Sequence, residues 1–190
     1  MAAIRSFICI VLPEELKAKI AELQSELKRE PVSVSWAKPE NVHLTLKFLG
    51  DVEETQLEQV KEAVSQTAQA HARFELVVHG CGVFPNERDP RVLWVGLKDE
   101  TGALQPLVQE IEDRLGAIGF AREERPFRAH LTIGRVRSGR NARELARKLT
   151  ATDFPRHRFA VEQITLMRSD LKPTGAIYTP LHSAELKPAY

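Results

Sequence analysis

The tetrapeptide His43-Leu44-Thr45-Leu46 recurs 87 residues downstream as His130-Leu131-Thr132-Ile133. In an extended strand, residues i and i+2 point to the same face, so each copy projects its histidine and threonine together and turns two aliphatic residues the other way. A chain with two such strands must build a sheet that buries one face and leaves the other open. A single His-x-Thr is unremarkable as the solvated side of a half-buried strand. Two copies in apolar strand-like surroundings point to a duplicated site on a rigid floor.

Hydrophobic periodicity supplies the rest of the sheet and its cover. Phe7 to Leu12 reads as a first strand, and Pro13 to Arg29 predicts a helix with Leu16, Ile20, Leu23 and Leu27 inward. Pro13 and two glutamates suit that helix's first turn. Val34 to Trp36 and Asn41 to Phe48 read as strands, Gly50-Asp51 as a turn, and Thr55 to Ala70 as a helix with Leu57, Val60 and Val64 inward. Phe74 to His79, Val92 to Leu97, Arg128 to Val136, Phe159 to Leu166 and Ala176 to Leu181 are further strands, with helices over Thr101 to Leu115 and Asn141 to Leu149. Strands often follow one another without a regular βαβ alternation. That order predicts an α+β fold with largely antiparallel sheets.

No linker divides the chain, so residues 1–190 are expected to form one domain, and 43% apolar residues suffice for its core. Such a chain buries roughly 70% of its unfolded surface without disulfide or metal staples. Cys9 in an apolar run and Cys81 between glycines have no zinc-ligand spacing and suit a reducing compartment. The apolar N-terminal run is shorter than a signal-peptide core, and none approaches the roughly 20 residues of a membrane span. A cytoplasmic monomer with no membrane partner is the expectation. The formal net charge of +1 by itself disfavours nucleic acid, but it is an average. Between Ala121 and Arg158 lie eleven basic and four acidic residues, a local excess of seven. A basic surface around the second motif would attract an RNA backbone.

Histidine exchanges protons near neutral pH, so two of them on opposite sides of a phosphorus serve as base and acid for an in-line displacement. The threonine hydroxyls can donate to the non-bridging oxygens where charge accumulates. Two histidines with no nearby carboxylate or thiolate do not make a zinc site, so neither metal nor cofactor is expected. The other histidines, His71, His79, His157 and His182, lack a repeated partner and read as ordinary surface or structural residues.

The two H-L-T-aliphatic copies resemble the signature of the two-histidine (2H) phosphoesterase superfamily, in the branch of RNA 2′,3′-cyclic phosphodiesterases once described as 2′-5′ RNA ligases. The resemblance extends through WAKPENVHLTLKFLG (Trp36 to Gly50), Gly82-Val83-Phe84-Pro85, Arg91 to Gly96, Leu166 to Ser169 and Gly175 to Leu181, covering nearly the whole chain. It implies a bilobal α+β fold, with two pseudo-symmetric lobes, each an antiparallel sheet with outer helices, facing a central cleft. It also implies metal-independent opening of a terminal RNA 2′,3′-cyclic phosphate to a 2′-phosphate. His43 would be the proton donor to the leaving 3′-oxygen and His130 the proton acceptor from water, a choice the nearly symmetric motifs leave open on their own. Thr45 and Thr132 would hold the phosphate. Arg135 matches a phosphate-contacting arginine and Phe48 an aromatic on which the terminal base stacks. Both lie five residues after their histidine, on the opposite face of a regular strand. Either a bulge re-aims them or Phe48 is core and Arg135 a surface charge. Arg128, two residues before His130, is a further phosphate contact by alternation. The RNA partner could be a tRNA fragment, a processing intermediate or a small nucleotide, and reverse 2′-5′ joining follows from microscopic reversibility. The rival readings are a phosphodiesterase for 2′-5′ linkages or small cyclic nucleotides, and a non-catalytic RNA-end-binding module.

Overall fold

The computed structural model describes residues 3–138 and 141–189. In chain order these form β1 (Ala3–Val11), α1 (Glu14–Leu27), β2 (Ser33–Trp36), a 3-10 turn (Pro39–Asn41), β3 (His43–Glu53), α2 (Glu54–Ala70), β4 (Phe74–Phe84), β5 (Val92–Lys98), α3 (Leu104–Ala117), β6 (His130–Ser138), α4 (Ala142–Thr150), β7 (His157–Val161), β8 (Gln163–Lys172) and β9 (Gly175–Glu185). All nine strands join one sheet in the order β7-β4-β5-β6-β3-β1-β8-β9, with β2 on the far part of β6. The ladders between named strands are antiparallel.

The two motif strands meet at the centre through one bridged pair, Leu44 opposite Leu131. The expected lobes are therefore halves of one sheet, joined where its two repeats touch. Helices α2 and α3 cover the half containing β3, β1, β8 and β9, while α4 covers β4 and packs against α1. The apolar periodicity produces these contacts: Leu16, Ile20, Leu23 and Leu27 of α1 are all buried, as are Leu104, Leu107, Val108, Ile111 and Leu115 of α3. Leu44, Leu46, Leu131 and Ile133 join them in one core. Each such side chain contributes about 1.5–3 kcal/mol by leaving water. Among the described residues no helix is long and apolar enough to cross a membrane.

Both motif strands depart from regular alternation at the same place. On β3, Ile8 faces Lys47 and Cys9 faces Thr45, so Leu46 is an extra residue; on β6, Leu93 faces Gly134 and Trp94 faces Thr132, so Ile133 is. Cross-strand partners share a face. His43, Thr45 and Phe48 oppose Val11, Cys9 and Phe7, which alternate along β1 and share one side. His130, Thr132 and Arg135 likewise oppose Gly96, Trp94 and Val92 of β5. One bulge per strand thus returns the residue five beyond each histidine to the histidine's own face.

Each bulge is held by a buried polar side chain. Gln24 of α1 donates from Nε2 to the carbonyls of Ile133 and Ala37, at 2.8 Å each. Lys47, next to Leu46, donates to Glu112 Oε2 of α3 at 2.7 Å and to the Ala121 carbonyl at 2.8 Å.

Several boundaries differ from the sequence expectation. Gly50-Asp51 is no turn: β3 continues to Glu53, with Gly50 at φ +70° beside a second irregularity in the ladder. The strand begins at His43, because Pro39 to Asn41 coil into the short turn before it. The apolar stretch from Phe159 to Leu166 is two strands on opposite sides of the sheet, β7 beside β4 and β8 beside β1. Helix α3 starts at Leu104, not Thr101, because Asp99 accepts the Thr101, Gly102 and Leu104 amides and makes a loop of that stretch.

Candidate active site

The bridged pair Leu44–Leu131 sets the antiparallel register of the two motifs, bringing His43 toward Thr132 and Thr45 toward His130. All four side chains line one cleft of about 470 Å³, together with Phe48 and Arg135. The alternative reading of Phe48 as core falls, since 51% of it is exposed. Arg5, which also lines the cleft, lies over one face of its ring, 4.5 Å from the centroid. Arg135 pairs across from Ser35 of β2, which also lines the cleft.

The two imidazoles are fixed in the same way. His43 Nδ1 lies 2.7 Å from the Asn41 carbonyl, and His130 Nδ1 lies 2.7 Å from the Arg128 carbonyl. A carbonyl only accepts, so Nδ1 carries the hydrogen in both rings and each Nε2 is left to exchange a proton in the cleft. Asn41 is itself tied down, its Nδ2 donating to the Ala176 carbonyl at 2.8 Å.

Their surroundings differ. His43 stacks on Phe7 with centroids 4.6 Å apart and meets Tyr178 edge-on at 5.3 Å. This enclosure strips water from the ring and lowers its pKa below the ordinary histidine value, partly offset by the bond to Asn41. His130 touches one ring, the edge-on Phe84 at 5.1 Å.

Arg128 lies outside β6, and its side chain lines a neighbouring groove instead of the cleft that holds both histidines. That groove also includes His130 and Thr45, and the Arg128 carbonyl orients His130. His71, His79, His157 and His182 line neither space; His182, for one, is hydrogen-bonded to Ser65 at 2.7 Å. Burial pushes the Cys9 thiol up to about 12 and Cys81 up to about 11, so neither is a ready nucleophile. Among the described residues no three His, Cys, Asp or Glu side chains cluster to hold a metal. Sequence reasoning missed Phe7, Tyr178 and Phe84, whose places depend on strand neighbours from remote parts of the chain.

Two sheet halves, each presenting a bulged His-x-Thr strand to one cleft, define the two-histidine class of phosphoesterase folds. The family model described as LigT like phosphoesterase matches twice, over residues 10–94 and 95–178, one match per motif. With this match, the chain belongs to the LigT-like phosphoesterase family. It is 35% identical over 179 residues to the RNA 2′,3′-cyclic phosphodiesterase of Methanothermobacter thermautotrophicus, covering 94% of this chain and 96% of that one. It is 34% identical to the protein of the same name from Thermotoga maritima, covering 96% of each. The crystal structure of TT0787 of Thermus thermophilus superposes with a TM-score of 0.80 at 28% identity, covering 98% of this chain and 100% of that one. That of E. coli LigT complexed with 3′-AMP does so at 0.77 and 26%, covering 97% and 98%.

Proposed function

We propose that this chain hydrolyses the 2′,3′-cyclic phosphate at an RNA 3′ end to a 2′-phosphate. The observation that carries the reading is the pair of imidazoles lining a common cleft, each bonded through Nδ1 to a backbone carbonyl so that Nε2 is left for proton exchange. Relatives named for this activity match nearly end to end, which supports it.

His130 takes a proton from water, whose oxygen attacks phosphorus while the bond to the 3′-oxygen breaks. His43 gives that oxygen its proton. Water reaches the more open His130 readily, while the enclosed His43 suits an oxygen already held on the substrate. Thr45 and Thr132 donate to the non-bridging oxygens, Arg135 adds a fixed cation, and the exposed ring of Phe48 stacks the terminal base. Both histidines come from one chain, so a monomer is sufficient. RNA is favoured over a free cyclic mononucleotide, because Arg137 and Arg143, beyond the cleft, make no ion pair among the described residues and are available to further phosphates. The cleft accepts the terminal nucleotide of a tRNA fragment or of a processing intermediate alike. A binding module would need the cations and the stacking ring but not paired, oriented imidazoles.

The test is product analysis. A cyclic-phosphate-ended oligoribonucleotide incubated with the protein and EDTA should become a 2′-phosphate end. Recovery of a 3′-phosphate would reverse the identity of the leaving oxygen, and an unchanged oligonucleotide would leave only the binding module.

A further inference from the structure

The stretches Gly82 to Pro85 and Arg91 to Gly96 flank the turn between β4 and β5 and supply no group to the reaction above. They meet around one ring. We propose that Trp94 is a positioning residue for His130, acting through Phe84, whose ring it holds against the imidazole. The inference rests on His130 as the proton acceptor.

One hydrogen bond does not fix an imidazole. His130 Nδ1 meets the Arg128 carbonyl, but the ring can still rock about that contact, and Arg128 lies before β6, outside its ladders. His43 has a ring stacked flat upon it, whereas His130 has the edge-on contact with Phe84, 5.1 Å between centroids. Phe84 is therefore the second point that sets where Nε2 aims, and a base must be held to a fraction of an ångström. Phe84 in turn ends β4, half-buried, with exposed Pro85 after it. The ring beside it is the Trp94 indole, 5.1 Å between centroids and tilted by 37°.

The indole is seated on two glycines. Trp94 opposes Gly82 on β4 and Thr132 on β6, so it rises on the face that carries Thr132 and His130. A Cβ at Gly82 would run into the indole at Cζ2 and Cη2, with Cε2 at 2.9 Å. Gly96 is the cross-strand partner of His130. A side chain there is barred by the His79 carbonyl, and its Cβ would come within 3.3 Å of the indole Cζ3. Strand β5 thus offers His130 no side chain directly opposite, and the indole two residues away extends into that space. Its Nε1 is buried without a hydrogen-bond partner among the described residues, so contact alone holds the ring, and a phenyl ring in its place would lose no bond.

Rates on a cyclic-phosphate-ended oligoribonucleotide test this with Phe84→Leu, Trp94→Leu, their double variant and Trp94→Phe. Each leucine variant should lower kcat between about ten- and a hundredfold, the scale of a base displaced by about 1 Å, and keep KM within about twofold. Because Trp94 acts through Phe84, the double variant should be no slower than Phe84→Leu. Trp94→Phe should recover most of the loss. In proton NMR spectra the imidazole C2 proton of His130, recognised by its absence in His130→Ala, should shift in both leucine variants while that of His43 stays. Additive losses overturn the proposal, as do signals of both histidines that move together. A lowered melting temperature with kcat and the His130 signal kept would make Trp94 structural only. An unchanged kcat in Phe84→Leu overturns the proposal even where Trp94→Leu does not fold. A wild type inactive on the cyclic end overturns the hydrolase reading instead, and the His130 signal then still reports whether the indole positions the ring.

Discussion

His43 and His130 make the same bond to the same backbone position, and the asymmetry between them comes from their neighbours. Phe7 and Tyr178 enclose His43, and the resulting loss of hydration favours its neutral form. A bell-shaped pH profile of kcat/KM should therefore have one limb below the ordinary histidine value of about 6.5. Tyr178→Ala readmits water to the ring, and desolvation is what depresses the pKa, so that limb should move up in pH while the other stays. A profile unchanged in Tyr178→Ala would show that the limb belongs to another group. Removing a ring altogether is the stronger perturbation. His43→Ala and His130→Ala should each lower kcat by about 10²–10⁴, the range of one general acid or base, while RNA-end binding measured by filter retention changes little. Equal loss of binding and turnover would assign the rings to affinity.

At the scale of elements, the bulges decide what the cleft contains. Without Leu46 and Ile133 as extra residues, Phe48 and Arg135 would point at the helices, so the clamps on these bulges should matter to both stability and site. Lys47 and Glu112 are nearly buried, with side-chain exposures of 5% and 12%. Lys47→Met strands the Glu112 carboxylate and should cost about 3–5 kcal/mol in a denaturant titration, whereas Lys47→Met with Glu112→Leu should recover most of it. A double variant as unstable as the single one would show that the apolar replacements pack poorly there, not that a charge is stranded. The same elements mark what sequence can disclose. The histidines and threonines are legible because strand parity is a property of a few consecutive residues, and the helices because their apolar stripes are. A bulge is set by register against a neighbouring strand, so nothing within the motif reveals that Phe48 and Arg135 return to the histidine face. Nor does the Phe159 to Leu166 stretch show that the chain leaves one half of the sheet at Glu162 and enters the other, because both segments are buried against apolar neighbours. Phe7 and Tyr178 close on His43 through pairings that join opposite ends of the chain, such as Phe7 opposite Met167, and then Ser169 opposite Tyr178.

Across the whole molecule, the basic excess between Ala121 and Arg158 is partly neutralised by acids from elsewhere. Arg122 pairs with Asp113, Lys148 with Glu30, Arg156 with Glu100, and Arg158 with Glu75 and Glu100. Arg140 lies outside the described residues. Arg137 and Arg143 make no ion pair among the described residues; together with Arg88 and Arg91 they line a depression of about 300 Å³ at the outer end of β6, beyond Arg135. A strand whose terminal phosphate sits between the histidines can continue over these residues, each phosphate bound there releasing a counterion. Binding of a cyclic-phosphate-ended oligonucleotide, measured with the slowed His130→Ala chain, should weaken linearly in log Kd against log salt. Adding Arg137→Gln or Arg143→Gln should flatten that slope by about 0.7 for each phosphate no longer neutralised, the single-strand value, and leave the affinity for a cyclic mononucleotide unchanged. Equal weakening of mononucleotide and oligonucleotide would place these arginines at the cleft instead. An unaltered slope would send the RNA backbone along another face, with the basic segment serving only as the partner of Glu30, Glu75, Glu100 and Asp113.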